Sequence, residues 1–406
     1  MKTAIVSVTS HGAYLGYKVA SALREASETK ATEVIQCFEK DGKGCNQNVG
    51  TIYFDKMSTI MEMLFKEYDR VLCIMATGIV VRMIAPYIVH KSKDPAIVVM
   101  DEQGKYSISL LSGHLGGANE WALEISEIIG AIPVITTATD VNQLPAPDVF
   151  ARKHHLTIQN FDALRVVNAA IVAKEEVYYY IDSTLAWADV LCEQAKVHGV
   201  QVVLFTPEKI EIPAETSLLE ENTQRNFHLP TMIFTAKVLE TTQPKVIITD
   251  KVLKKAEVYQ NNLFMYVKTM VVGVGCRRDT EASLIFDAVM ESLHKAGRAK
   301  ASVLAATSVD VKANEKGLLE AMKLLEWPIQ FYEAEILQHF VNAHHIKESN
   351  FVKNTIGVGN VCETTSLILA QSQQLIQQKT LFPRITVAIA QVGFKLSVLD
   401  RVMKNL

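Results

Sequence analysis

The sequence predicts an α/β protein of several domains, with N-terminal and C-terminal α/β domains of mainly parallel sheet and a smaller middle α/β domain. Three observations carry this. Short apolar runs recur along the chain, continuous rather than alternating, as strands buried on both faces require. Between them, apolar residues repeat at helical spacing. At 406 residues the chain exceeds one ordinary core, so roughly two to four domains are expected.

The elements follow in order. Ala4 to Val8 reads as a first strand, Tyr14 to Arg24 as a helix and Val34 to Phe38 as a strand. Met57, Ile60, Met61, Leu64 and Phe65 mark a helix face, and Val71 to Met75 is a buried strand. Ile97 to Met100 and Ile108 to Leu111 are strands parted by a turn at Gly104. Ala118, Trp121, Ala122, Ile125, Ile128 and Ile129 line a helix, and Pro133 to Thr136 closes the unit as a strand. This alternation predicts a doubly wound domain over residues 1–144. VNQLPAPD, rich in turn formers, reads as a linker into a middle domain, 145–265. There Val177 to Ile181, Val200 to Phe205 and Val246 to Thr249 are strands, and the acidic stretch Glu208 to Asn226 reads as an irregular insertion. The C-terminal domain, 266–406, has strands at Met270 to Val274, Ser302 to Ala306 and Ile385 to Ala390. Its helices are expected at Thr280 to His294, 313–325 and 361–375.

Composition narrows the function classes. A net charge of -3 argues against nucleic acid or a membrane surface as partner, while local basic clusters leave room for a small anion. Six scattered cysteines without a C-x-x-C pair read as reduced cytoplasmic thiols. MKTAIVSVTSHG reads as a strand rather than a signal peptide, and no run approaches the roughly 18 apolar residues of a membrane span.

The densest motif is Leu110-Leu111-Ser112-Gly113-His114-Leu115-Gly116-Gly117-Ala118-Asn119, where a strand passes through a glycine-rich turn into a helix. Such turns let the backbone approach a ligand, and the helix start offers unpaired N–H groups to an anion. Read this way, His114 sits at the carboxyl edge of the sheet, where open α/β folds bind ligands; the plainer reading is a tight turn with a structural histidine. In Gly273-Val274-Gly275-Cys276-Arg277-Arg278, an arginine stands where a dinucleotide fingerprint needs its third glycine, and no lysine completes a P-loop. Arg277 and Arg278 are either a carboxylate clamp or surface charges, one paired with Asp279. Thr77, Gly78 and Arg82 form a further strand-to-helix turn, followed by Lys91 and Lys93, which singly read as exposed lysines. The pairs His154-His155 and His344-His345 lack zinc-site spacing, so no protein-borne metal is expected. Glu363 is either a carboxylate favouring a helix start or a catalytic group.

Together these segments resemble the cobalt-precorrin-5A hydrolase (CbiG) family of anaerobic cobalamin biosynthesis. The likeness runs from the first strand to Ala390. It is densest in ATGIVVR, KDPAIVVMDEQGKYSISLLSGHLGGANEWA and PVITTATD within 76–140, in GVGCRRDT and VDVKANEKGLLE, and in IGVGNVCETTSLILA with ITVAIA. Asp279 departs from the glycine or serine usual there. The resemblance implies opening of the δ-lactone of cobalt-precorrin-5A, an anionic tetrapyrrole, with release of acetaldehyde and formation of cobalt-precorrin-5B. It implies no cofactor of the protein's own, since cobalt arrives with the substrate, and leaves transient contact with neighbouring pathway enzymes open. The rival of another class is a non-catalytic tetrapyrrole carrier. On the hydrolase reading His114 is the base, with Asp140 or Glu363 as orienting or alternative carboxylates, and Gly116 and Gly117 offer N–H groups to an oxyanion. An axial contact from His114 to the substrate's cobalt is a second role open to that residue. Thr77, Gly78, Arg82, Ser112, Gly113, Asn119, Gly275, Arg277 and Arg278 complete the expected binding residues.

Overall fold

In the first half of a doubly wound sheet, neighbouring residues of each strand point to opposite faces, and both faces here are apolar. In a computed structural model the chain divides into two units, Met1–Arg152 and Lys153–Leu406. Residues 1–27, 34–45, 50–207, 233–235, 239, 241–253, 260–348, 358–404 and 406 are described. The expected insertion at 208–226 lies outside them.

The first unit holds β1 (Lys2–Ser7), β2 (Val34–Lys40), β3 (Ile52–Phe54), β4 (Arg70–Ile74), β5 (Ala96–Met100), β6 (Tyr106–Leu111) and β7 (Ile132–Val134). Their order is β3-β2-β1-β4-β5-β6-β7. Ile5, Leu72, Ile74, Ala96, Val98 and Met100 pack under α1 (Ser10–Ser27) and α4 (Ala118–Ile129), through Val19, Ala20, Leu23, Trp121, Ala122 and Ile125. The alternate residues Ala4, Val6, Val71, Cys73, Ile97 and Val99 pack under α2 (Met61–Glu67) and α3 (Thr77–Ile84). This two-sided burial explains the continuous apolar runs. The helix expected around residues 57–65 is split into a 3-10 turn at Met57–Thr59 and then α2.

One connection sets the position of the site. Only residues 101–105 join β5 to β6, with Gly104 at φ 70 and the Asp101 carboxylate accepting the Gln103 and Tyr106 N–H groups at 2.9 and 2.7 Å. A parallel crossover needs a dozen residues or more, so β6 must return antiparallel, with Leu111 opposite Ile97. β7 pairs parallel with β6 across α4. The carboxyl ends of β6 and β7 therefore lie at the amino edge of β1, β4 and β5. VNQLPAPD is not merely a linker. Asn142 follows α5 (Ala138–Val141), and Pro147 and Asp148 open α6 (Pro147–Lys153).

The second unit holds two sheets. The first has β8 (Thr157–Gln159), β9 (Tyr178–Asp182), β10 (Gln201–Thr206), β11 (Ile233–Thr235), β12 (Lys245–Thr249) and β13 (Asn262–Tyr266), ordered β11-β10-β9-β12-β13-β8 and parallel except at β8. Strand order reverses between β9 and β12, where such sheets often bind ligands. Near that place the chain's own polar residues bond to one another. Asp182 accepts from Thr249 Oγ1 at 2.7 Å, Thr269 Oγ1 donates to Asp250 at 2.7 Å, and Arg298 ion-pairs with Asp250.

The other sheet has β14 (Met270–Cys276), β15 (Val303–Val309), β16 (Ile329–Tyr332), β17 (Leu375–Phe382) and β18 (Ile385–Gln391), ordered β16-β15-β14-β18-β17. β14, β15 and β16 run parallel, and β18 and β17 add an antiparallel hairpin. α7 (Ala282–Lys295) and α8 (Lys316–Leu325) cover one face through Ile285, Val289, Leu293, Leu318, Met322 and Leu325. On the other, α9 (Cys362–Ala370) crosses β14 so closely that a Cβ at Gly273 would stand 1.8 Å from the Cys362 carbonyl oxygen. The helix expected over 361–375 ends at Ala370, because Gln371 turns left-handed at φ 49 and the chain re-enters the sheet as β17.

Candidate active site

Just past the carboxyl end of β6, His114 meets side chains from α5 and α6. Its Nε2 lies 2.5 Å from Asp140 Oδ2 and its Nδ1 lies 3.0 Å from Asp148 Oδ1. Thr139 Oγ1 approaches Nε2 at 3.3 Å. The side chains are 9% exposed for His114, 4% for Asp148 and 35% for Asp140, so Asp140 is the member that meets solvent. Burial pushes the His114 pKa down, but hydrogen bonds and charge from Asp148 and then Asp140 outweigh it, and the net shift is upward. Both ring nitrogens are engaged, which leaves neither facing outward as a metal ligand.

Asn119 joins the network one step back. Its Oδ1 accepts from Ser109 Oγ at 2.6 Å, and its Nδ2 donates to Asp140 Oδ2 at 2.9 Å and Thr137 Oγ1 at 3.1 Å. It is 5% exposed and fixes Asp140 rather than facing a ligand. Ser112 is buried, holds φ 57 and donates to the Asp94 carbonyl at 3.1 Å. Gly117 holds φ 85, and its N–H is spent on the His114 carbonyl at 3.1 Å. The oxyanion role expected of Gly117 is thus corrected; the N–H is a turn bond. Gly113 and Gly116 lie against Asn119 and Ser112, so this turn is tight for packing reasons as well.

The expected residues do not converge on one edge. The sequence places His114 at the carboxyl edge of the sheet. It stands at the carboxyl end of β6, but β6 runs against β5, so this is the amino edge of the parallel strands. Thr77 and Gly78 begin α3 after β4, at the opposite edge, and Arg82 lies in its last turn. Arg82 is exposed and donates to the Gly78 carbonyl at 3.1 Å.

In the second unit, Arg277 and Arg278 are exposed at the end of β14, and neither side chain makes an ion pair or hydrogen bond with a described residue. Pairing with Asp279 is not observed. Instead the Asp279 N–H donates to Glu315 Oε1 at 2.8 Å, and Glu315 ion-pairs with Lys312 at 3.2 Å. Asp279 takes φ 54, a backbone region favouring glycine and tolerated best by Asp and Asn, which accounts for a residue other than glycine there. Arg384 braces this loop. Its carbonyl accepts the Arg277 N–H at 2.9 Å, its Nε donates to Thr280 Oγ1 at 3.4 Å, and its guanidinium donates to the Arg278 carbonyl. Gly275 lies against Thr386 Oγ1. Glu363 is occupied within the fold: Oε1 accepts the Lys379 N–H at 2.7 Å and Oε2 accepts from Asn360 Nδ2. That geometry supports the structural reading of Glu363 over the catalytic one.

Sequence reasoning missed Asp148 and Arg384. Asp148 carried a readable signal, since a proline followed by an acid is a helix start. Arg384 follows Pro383 in a hairpin turn, and nothing local ties it to the loop that it braces.

Comparisons with known proteins agree along most of the chain. Residues 59–140 match the family model described as Cobalamin synthesis G N-terminal, 145–266 the Cobalamin biosynthesis central region and 270–390 the Cobalamin synthesis G C-terminus. A cobalt-precorrin-5A hydrolase of Salmonella typhimurium is 32% identical over 328 residues, 80% of this chain and 83% of its own. Another, from Priestia megaterium, is 27% identical over 395 residues, 96% of this chain and 95% of its own. No helix among the described residues is long and apolar enough to cross a membrane. With three consecutive family domains matched and a relative at this identity, the chain belongs to the CbiG family, the cobalt-precorrin-5A hydrolases of cobalamin biosynthesis.

Proposed function

We propose that the chain opens the δ-lactone of cobalt-precorrin-5A and releases acetaldehyde, giving cobalt-precorrin-5B. The observation that carries this reading is the His114–Asp140 pair, an imidazole in the turn after β6 and a partly exposed carboxylate on α5, 2.5 Å apart. Lactone hydrolysis needs a proton acceptor for attacking water and a proton donor for the leaving oxygen. The pair supplies both. Water attacks the carbonyl carbon as its proton passes to the pair, and the ring C–O bond breaks as the departing oxygen takes a proton from it. Acid and alcohol result. The alcohol then loses its O–H proton to the pair, the C–C bond to the macrocycle breaks, and acetaldehyde leaves. The electron pair stays with the cobalt-bearing macrocycle, so no cofactor of the protein's own is proposed. Arg277 and Arg278 suit the substrate's carboxylate arms. The cysteines, none of them in a disulfide, support a cytoplasmic enzyme.

Anaerobic incubation with cobalt-precorrin-5A tests the reading, with acetaldehyde followed through alcohol dehydrogenase and NADH. Stoichiometric acetaldehyde with a lighter tetrapyrrole supports it, and Asp140→Asn should abolish most of the release. Substrate binding without acetaldehyde would make the chain a carrier.

A further inference from the structure

We propose that Asp148 is the positioning residue of this site: from behind the ring it holds His114 as the doubly protonated imidazolium, which makes His114 the proton donor and Asp140 the base. The inference rests on the reaction proposed above and divides the roles of its acid–base pair.

The argument begins with hydrogen-bond capacity. A neutral imidazole has one N–H and one lone pair, whereas an ionised carboxylate only accepts. His114 faces a carboxylate oxygen at each nitrogen, 3.0 Å at Nδ1 and 2.5 Å at Nε2. In the neutral ring one contact would set a lone pair against a carboxylate oxygen; the imidazolium donates to both. A triad of one carboxylate and one histidine works the other way, fixing a neutral tautomer whose free nitrogen is the base. The second carboxylate reverses that assignment.

Burial decides which carboxylate does which task. Asp148 is 4% exposed, and His114 is the only described side chain bonded to it. It also lies in the first turn of α6, where the helix favours a negative charge. A carboxylate so placed cannot reach substrate, but it can fix the ring's orientation and charge. Asp140 is 35% exposed, and its Oδ2 holds both His114 and Asn119. Its Oδ1 has no protein partner among the described residues, so that oxygen is the one open to a water. The ionisable groups acting on the ring are Asp140 from α5 and Asp148 from α6. Arg152, also on α6, is turned to Glu120 of α4. The upward shift of the His114 pKa agrees with the geometry.

The decisive measurement needs no turnover. In protein labelled with 15N at its 11 histidines, with His114 assigned by His114→Gln, the ring nitrogens report the charge state across pH. The wild-type His114 ring should carry both protons at neutral pH. Asp148→Asn should lower its midpoint by about one pH unit or more, tenfold in proton affinity, and Asp148→Glu should restore most of the shift. In the acetaldehyde assay, the alkaline limb of kcat/KM should move to lower pH in Asp148→Asn by the same amount, with substrate affinity unchanged. A neutral His114 ring in the wild type at neutral pH would overturn the inference without any variant. So would a folded Asp148→Asn protein whose ring midpoint and alkaline limb stay in place. Absence of acetaldehyde from the wild type would instead remove the proposed reaction, while the ring titration would still decide the role of Asp148.

Discussion

Two glycine-marked turns, one in each unit, stand where a strand hands over to a helix, and they are built in opposite ways. At Ser112–Gly117 the polar groups satisfy one another: His114 is gripped by Asp140 and Asp148, and Asn119 locks Asp140 in place. At Gly275–Thr280 the backbone is braced by Arg384 and Glu315, while the Arg277 and Arg278 side chains stay without an ion pair among the described residues. On the proposed reaction the difference is one of task. Groups that move protons gain from fixed geometry. Groups that recognise carboxylates gain from guanidinium forks still free to pair bidentately.

The largest expected effect breaks the first turn. His114→Ala should lower acetaldehyde release by about 10²–10⁴-fold, the usual worth of a general acid or base. It should also destabilise the first unit by about 3 kcal/mol, because Asp148 is left buried without its partner. Activity has to be read at matched folded fraction, with thermal unfolding recorded alongside. A variant that loses stability yet turns over normally would make the three-residue cluster an internal brace.

The second turn should respond in the other kinetic constant. Arg277→Ala and Arg278→Ala should each raise KM about tenfold or more, the cost of one charge-assisted hydrogen bond, with kcat within about twofold. Added salt should weaken wild-type substrate affinity more than that of either variant, since these charges are exposed and screened. A fall in kcat at unchanged KM would erase the distinction between the two turns. Glu363→Gln sharpens it further. The Glu363 carboxylate holds the Lys379 N–H and Asn360, so its loss should cost about 1 kcal/mol of stability and leave turnover within about twofold.

How far each turn was readable in the sequence follows from what fixes it. The buried strands were legible because runs such as Val71–Met75 and Ile97–Met100 are apolar on both faces. Strand direction was legible in principle, since the five residues 101–105 cannot carry a parallel crossover. Without that direction, His114 and the Thr77–Arg82 turn read as sharing an edge. Asp148 was hidden because VNQLPAPD has the composition of a linker, although Pro147-Asp148 opens a helix. The role of Glu363 was out of reach, because Glu363 lies on a helix and its partner Lys379 comes 16 residues later on β17.

The smallest effect is the pH dependence of stability, and its sign separates the turns once more. The folded-state pKa of His114 is raised, so folding binds its proton more tightly than the unfolded chain does. The stabilisation is therefore complete below the ordinary histidine value of about 6.5. It is lost as pH rises through the higher folded value. The first unit should unfold a few degrees lower at mildly alkaline pH than at pH 6, at about 2–8 °C per kcal/mol. In Asp140→Asn the slope should shrink, because one of the two carboxylates raising the pKa is gone. Arg277 and Arg278, as guanidinium groups charged throughout this range, add no slope, so Arg277→Ala should leave the curve unchanged. Thermal unfolding across pH 5.5 to about 9, read by tryptophan fluorescence of Trp121 in the first unit, resolves the three cases. A slope that persisted undiminished in His114→Gln would assign it to another group and leave the two turns electrostatically alike.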